Sequence, residues 1–199
     1  MFFQSTLAAA LAALAVLSPA ASAQPLESRK TDTGVTTFKS PSVKPFLHLN
    51  IIADLPSNAS TLYGITARAP NMGGNFTGAI EGKILPLGAA IETIPTGTNG
   101  TTSFYTNTWS LNTTSGTGIL LDATATIHYA NNALHGFGSM SFRTDDKNLI
   151  ELNYGSYVAE FEGNFNTGEA VVDVFDLASN GRRDGQKVLA LLPPGGGSA

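Results

Sequence analysis

The feature that most constrains this chain is a series of short apolar runs, each interrupted by Gly, Asn or Pro. β-branched and aromatic residues recur in these runs, for example within Gly118–Tyr129 and Ala170–Leu177. Beyond the N-terminal segment, no window longer than about ten residues carries an apolar stripe at the helical period. The pattern therefore predicts short strands joined by tight turns, and it excludes a mainly helical fold.

About nine strands are predicted in a single domain, residues 45–179. They lie near 46–53, 62–67, 75–85, 89–94, 102–111, 118–129, 136–143, 149–162 and 170–177. This number and spacing predict an all-β fold, a single antiparallel β-barrel. A barrel is favoured over a sandwich because closure removes the exposed edges of a sheet.

The alternation within the strands separates two faces without showing which one is interior. In the strand near 118–129, Ile119, Leu121 and Ala123 share one face, whereas Leu120 and Asp122 share the other. Either face is a candidate for the lumen, because small barrels can enclose polar groups around a ligand.

The N-terminal segment predicts export from the cell. Residues 1–23 contain the uncharged run Leu7–Leu17, then Ser18-Pro19, and they end in Ala-Ser-Ala. These are the features of a secretory signal peptide, with cleavage expected between Ala23 and Gln24. The alternative is a membrane anchor, but the run has about half of the ~20 apolar residues that a span needs. We therefore expect a secreted, extracellular protein without stable membrane insertion.

Polar segments flank the predicted barrel. Residues 24–44 are rich in Thr and Ser, and residues 180–199 are rich in Gly, Pro and Arg. Both are predicted to be flexible, an N-terminal lead and a C-terminal tail. The chain has no cysteine, which excludes a disulfide scaffold and a thiol enzyme.

Asn-x-Ser/Thr sequons support the predicted secretory route. They begin at Asn58, Asn75, Asn99 and Asn112. Asn99 and Asn112 are the strongest candidates for N-glycosylation because they lie near polar connections, where a glycan reaches solvent. Asn75 is the weakest, since it stands at the start of a predicted strand.

A series of motifs resembles a known family. Gly64–Arg68 is followed by Gly73–Ala89, which contains Gly-Gly-x-Phe-x-Gly, a further Gly four residues on, and a Leu-Pro-x-Gly-Ala turn. Further matches are Trp109-x-Leu111-x-Thr113, Phe142-x-Thr144, Leu152-Asn153 and the closing strand at 171–177. Over residues 46–178 the chain is similar to the domain-of-unknown-function 3237 family, in a secreted, fungal-type form. The resemblance implies a lipocalin- or calycin-like barrel and no single family-wide activity.

Two departures from the family pattern affect polar positions. Family members usually carry Asp after the Gly-Ala of the turn, where this chain has Ala90. An Asp-Gly turn of the family is replaced by Ser115-Gly116. The resemblance therefore implies that any polar function of the family's Asp is lost at Ala90 or is carried by another residue.

Composition and motifs exclude several classes of function. The net charge of -4 and the pI of about 5.2 give no basic footprint for nucleic acid. No Gly-x-Ser-x-Gly hydrolase motif is present. The histidines His48, His128 and His135 have no ligand spacing, so neither a metal site nor a cofactor is expected.

Ionisable and aromatic residues within the predicted strands are the candidates for a ligand site. Only 13% of the residues are charged, so each ionisable strand residue either faces solvent or enters the lumen. The ionisable set also includes Glu92, and the aromatic set also includes Tyr129. The residues favoured for ligand binding are Arg68, Tyr105, Trp109, Asp122, His128, Arg143, Glu151 and Tyr154. The alternative is a solvated face for the charged residues and ordinary core for the aromatic ones.

Three functions are compatible with this sequence. The leading hypothesis is a barrel that binds a small, largely apolar molecule in its lumen. The second is a cofactor-free isomerase, cyclase or dehydratase that uses acid–base catalysis on a substrate resembling a secondary metabolite. The third is a structural or interaction protein of the cell exterior, with a closed core and an exposed apolar patch.

Overall fold

A computed structural model describes residues 36–164 and 166–188. The chain divides after Thr37, and the second unit, from Phe38 onward, holds the barrel. The predicted signal peptide, its cleavage site, most of the N-terminal lead and the end of the C-terminal tail lie outside the described residues. In the described part of the chain, no helix has the length and apolar character needed to cross a bilayer.

Antiparallel strands make up nearly all of the second unit, as predicted from the short apolar runs. They are β1 (Ser42–Ala53), β2 (Ser57–Thr61), β3 (Gly64–Gly78), β4 (Gly82–Ile84), β5 (Ala89–Pro95), β6 (Thr102–Thr113), β7 (Gly118–Ala130), β8 (Ala133–Arg143), β9 (Tyr157–Asn164) and β10 (Glu169–Ala178). A 3₁₀ turn, Ile150–Tyr154, lies between β8 and β9.

The sheet closes on itself, which confirms the predicted β-barrel. The strands follow the order β1-β10-β9-β8-β7-β6-β4-β3, and β1 pairs with β3 to complete the ring. Strand β5 lies between β3 and β6 beyond the end of β4. Strand β2 pairs with the first part of β3 and lies outside the ring.

Three predicted strands have wrong boundaries. The strand predicted at 149–162 is a 3₁₀ turn followed by β9, because Gly155 and Ser156 interrupt it. The strand predicted at 75–85 is divided by the turn at 79–81 into the end of β3 and the short β4. The strand predicted at 62–67 begins instead at Gly64, since Leu62 and Tyr63 form the turn of the β2–β3 hairpin.

The structure identifies the interior face of the strands. In β7 the face with Ile119, Leu121 and Ala123 points inward and is buried, while Leu120 points outward. The neighbouring strands place apolar residues on the same inner face, since Leu121 lies opposite Trp109 on β6 and Phe142 on β8. One continuous apolar cluster therefore fills the barrel from Leu47 on β1 round to Val174 on β10.

One end of the barrel, here called the closed end, is filled by aromatic and aliphatic side chains. Phe46, Phe142 and Tyr157 stack there, with ring centroids 4.8 to 5.8 Å apart. Leu149 and Leu152, at the 3₁₀ turn, pack against the same cluster. The segment between β8 and β9 therefore covers this end of the lumen.

Glycines in β3 permit the close approach of neighbouring strands. Gly74 has a φ of 142°, and a Cβ there would lie 2.0 Å from the carbonyl oxygen of Asn50 on β1. Gly78 is similar, with a φ of 134° and the carbonyl oxygen of Phe46 at 2.3 Å. Only glycine satisfies both constraints, so these residues allow β3 to bend and close the ring.

Candidate functional site

The opposite end of the barrel, here called the open end, has inward-facing residues that remain accessible to solvent. Tyr105 on β6 and Ala125 on β7 are directly opposite each other and are only partly buried. The residues with this combination of inward orientation and partial exposure include Glu92, Tyr105, Ala125, Tyr129, Leu134, Gly138, Gly163 and Ala170. Inward residues at this end are partly exposed, whereas those around Phe142 are buried, so this end is the more accessible part of the barrel.

Glu92, Ser103 and Tyr129 form a hydrogen-bonded group at the open end. They come from three neighbouring strands, β5, β6 and β7. The Ser103 hydroxyl lies 2.7 Å from the Tyr129 hydroxyl and donates to Glu92 Oε2 at 3.3 Å. The Tyr129 hydroxyl also donates to Glu92 Oε2. A single carboxylate oxygen thus accepts from two hydroxyl groups inside the barrel.

Burial shifts the proton affinities of this group. Desolvation raises the pKa of the Glu92 carboxyl above its ordinary value of 4.5, although the hydrogen bonds from Tyr129 and Ser103 oppose the rise. Burial and the adjacent Glu92 charge raise the pKa of the Tyr129 hydroxyl. The pair therefore combines a carboxyl that holds its proton unusually well with a phenol that stays protonated.

Tyr105, Asn107 and Asn71 form a second polar group, farther along the interior. Asn107 Nδ2 donates to the Tyr105 hydroxyl at 2.9 Å and to Asn71 Oδ1 at 3.0 Å. Asn71 Nδ2 lies within 3.2 Å of three acceptors, Asn107 Oδ1 and the carbonyl oxygens of Leu87 and Thr108. The two amides thus tie β3 to β6 and hold the Tyr105 hydroxyl, whose pKa is raised by burial.

Trp109 lies next along β6, where the polar groups give way to the apolar core. It is fully buried, and its ring centroid is 6.4 Å from that of Tyr105. Its Nε1–H has no hydrogen-bond partner among the described residues. A buried donor without an acceptor is costly, so this indole N–H is a polar defect at the edge of the apolar core.

The structure separates the eight residues predicted for ligand binding. Tyr105 and Trp109 face the lumen together. Asp122 and Arg143 form a bidentate ion pair on the outer face, with a shortest distance of 2.7 Å, and Thr108 donates to the same carboxylate. The other four are also exposed: Arg68 lies on β3, His128 lies on β7, and Glu151 and Tyr154 lie on the 3₁₀ turn.

A groove of about 480 Å³, here called the outer groove, lies near the closed end, and the core residues Leu111 and Ile119 are among its lining residues. Its lining includes Leu85, Leu120, Arg143, Thr144 and Asn153. Three of its polar residues are already engaged: Arg143 binds Asp122, and Thr144 and Asn153 exchange hydrogen bonds. Because these groups already have partners, we place the candidate site at the open end instead.

Sequence reasoning did not select most of the residues that converge at the open end. Glu92 and Tyr129 belonged to the wider sets of ionisable and aromatic strand residues, but Ser103, Asn71 and Asn107 were not considered. The missing information is the cross-strand register, which places Glu92 opposite both Ala67 and Tyr105. Ala90 also faces inward and is buried, so Glu92 is the next inward-facing residue of β5.

All four sequon asparagines, Asn58, Asn75, Asn99 and Asn112, are exposed. The Asn75 side chain accepts a hydrogen bond from Asn50 Nδ2 at 3.0 Å. No group of three or more His, Asp or Glu side chains suited to a metal ion occurs within residues 36–164 and 166–188.

Comparison with known proteins identifies the fold and not the activity. No family model and no curated protein matches the sequence. A conserved protein of unknown function from Rhodopseudomonas palustris superposes with a TM-score of 0.63 at 15% identity, covering 70% of this chain and 99% of that one. A β-barrel-like protein from Acinetobacter baumannii gives 0.62 at 17% identity, covering 70% and 97%. An enzyme from Penicillium herquei gives 0.54 at 16% identity, covering 71% and 98%.

Proposed function

We propose that the open end of the barrel binds a small, largely apolar molecule that carries at least one hydrogen-bonding oxygen. The observation that carries this proposal is the pair of polar groups centred on Glu92 and Tyr105, which face inward at the end of the barrel where inward residues are partly exposed. The inward-facing residues Ala125, Gly138 and Gly163 at the same end are small and partly exposed. Apolar walls with a few convergent polar groups are the usual composition of a small-molecule site.

The binding proposal is tested with N-phenylnaphthylamine, an uncharged fluorescent probe of apolar sites. Ala170 faces inward at the open end, and the next residue, Val171, faces outward on the same strand. We expect saturable fluorescence enhancement with the wild type and with Val171→Trp, and loss of most of it with Ala170→Trp. Equal binding by the two variants, or no binding by the wild type, contradicts the proposal.

We propose as a second candidate that the same site carries out cofactor-free acid–base catalysis of an isomerisation, cyclisation or dehydration. The observation that favours it is the raised pKa of Glu92 together with its hydrogen bond from Tyr129. In such a reaction the Glu92 carboxylate takes a proton from carbon, and the Tyr129 hydroxyl turns its single hydrogen from Glu92 to the substrate oxygen that gains negative charge. Glu92 then returns the proton, so no redox partner is required. The structural neighbour from Penicillium herquei is described as an enzyme, which agrees with this candidate.

Exchange of the α-hydrogens of β-tetralone in D₂O tests the catalytic candidate. We expect the wild type to accelerate deuterium incorporation above the buffer rate, with a rate that rises with pH through the raised pKa of Glu92. Glu92→Gln and Tyr129→Phe should lose about 10²-fold or more. Glu160→Gln, which changes a carboxylate on the outer side of β9, is the control and should retain the wild-type rate. Equal rates for Glu92→Gln and the wild type would reject the catalytic role.

A further inference from the structure

Strand β2 is an edge strand on a barrel that otherwise closes. Among the described strands it pairs only with β3, through the register Ser57–Arg68 to Thr61–Gly64. All five residues of β2 are exposed. Backbone N–H and C=O groups on the side away from β3 are therefore available to a strand from another molecule.

Apart from its short length of five residues, β2 lacks the features that usually protect an edge strand. Natural edges carry a charged side chain, a proline or a bulge, which prevent pairing with a second chain. The sequence of β2 is Ser-Asn-Ala-Ser-Thr, its pairing with β3 has no register shift, and Asp54 and Pro56 precede the strand. The strand does carry one sequon, Asn58-Ala59-Ser60, centred on the exposed edge.

We propose that an N-linked glycan on Asn58 protects this edge and keeps the protein monomeric. In the transfer, Asn58 Nδ2 bonds to C1 of an oligosaccharide and loses a proton, and the donor leaves as a lipid-linked diphosphate. The resulting glycan is bulky and hydrated, so it excludes a neighbouring strand from the volume beside β2. Without it, β2 is expected to pair with β2 of a second copy around a twofold axis. This inference depends on the predicted secretory route and is independent of the proposed ligand site.

Two substitutions at the same position separate the glycan from other effects of removing the sequon. Asn58→Gln removes the glycan and leaves a neutral edge, whereas Asn58→Lys removes the glycan and supplies a charge that also protects an edge. Ser60→Ala removes the sequon while keeping Asn58. Asn112→Gln is the matched control, because Asn112 lies on β6, which is paired on both sides with β4 and β7.

The full-length chain is expressed in a eukaryotic secretory host, and its molar mass is measured by size-exclusion chromatography with light scattering. Peptide mass spectrometry tests whether Asn58 carries the glycan. We expect a glycosylated wild-type monomer, an increase of about twofold or more in protein mass for Asn58→Gln and Ser60→Ala, and monomers for Asn58→Lys and Asn112→Gln. An unmodified Asn58, a monomeric Asn58→Gln, or association of Asn58→Lys equal to that of Asn58→Gln overturns the proposal. N-phenylnaphthylamine binding by each variant reports the ligand site separately.

Discussion

The same strands line both ends of the barrel, but their inward side chains are polar or small at the open end and apolar at the closed end. On β6, Ser103, Tyr105 and Asn107 face the open end, and Trp109 and Leu111 continue into the packed interior. On β8, Phe142 and Met140 belong to the packed core, whereas Gly138 contributes no side chain to the interior. The closed end therefore supplies stability through apolar burial, and the open end retains polar groups that a stable core alone would not need.

Truncation at the closed end is expected to have the largest effect on stability. Phe142→Ala removes a fully buried ring that stacks against Phe46 and Tyr157. The free energy of unfolding should fall by about 3 to 5 kcal/mol, measured by chemical denaturation. A smaller change at the open end, Tyr129→Phe, removes one hydroxyl that donates to a carboxylate and should cost about 1.5 to 3 kcal/mol. An equal loss of unfolding free energy in the two variants would contradict the view that the closed end supplies most of the stability.

The pH dependence of stability should report the buried carboxyl of the open end. Because the pKa of Glu92 is raised in the folded protein, the folded state holds this proton more tightly than the unfolded chain does. Its contribution to stability is therefore complete below about pH 4.5 and is lost as pH rises through the raised pKa. Glu92→Gln cannot lose a proton, so its free energy of unfolding relative to the wild type should increase with pH, by about 1.4 kcal/mol for each pH unit between the unfolded and folded pKa of Glu92. If the free energies of unfolding of the wild type and Glu92→Gln change in parallel with pH, Glu92 is not the source of the pH dependence.

The ion pair on the outer face of the barrel should contribute least to the free energy of unfolding. The Asp122–Arg143 ion pair is largely exposed, with 60% of the arginine side chain accessible. Arg143→Ala should therefore reduce the free energy of unfolding by about 0.2 to 1 kcal/mol, and less in high salt. Probe binding at the open end should be unchanged in a fluorescence titration. A large loss of binding would move the site to the outer groove.

Local patterns in the sequence were sufficient to predict the barrel but not its polar interior. Alternation in β7 and β10 shows two faces, and the Gly-rich β3 indicates close strand approach. β2 was not predicted because Ser57–Thr61 contains no alternating apolar residue, and β9 was joined to the 3₁₀ turn because Leu149 and Leu152 resemble strand residues. The group of Glu92, Ser103 and Tyr129 depends on long-range register, which no short window of sequence contains.

The most direct test of the account is to locate bound N-phenylnaphthylamine by amide chemical-shift mapping of the full-length protein. The account predicts that the largest shifts occur at the open end, at residues such as Ala125, Tyr129, Leu134 and Ala170, with little change around Phe142. Shifts centred on Leu85 and Leu120 in the outer groove, or the absence of saturable shifts, would contradict it.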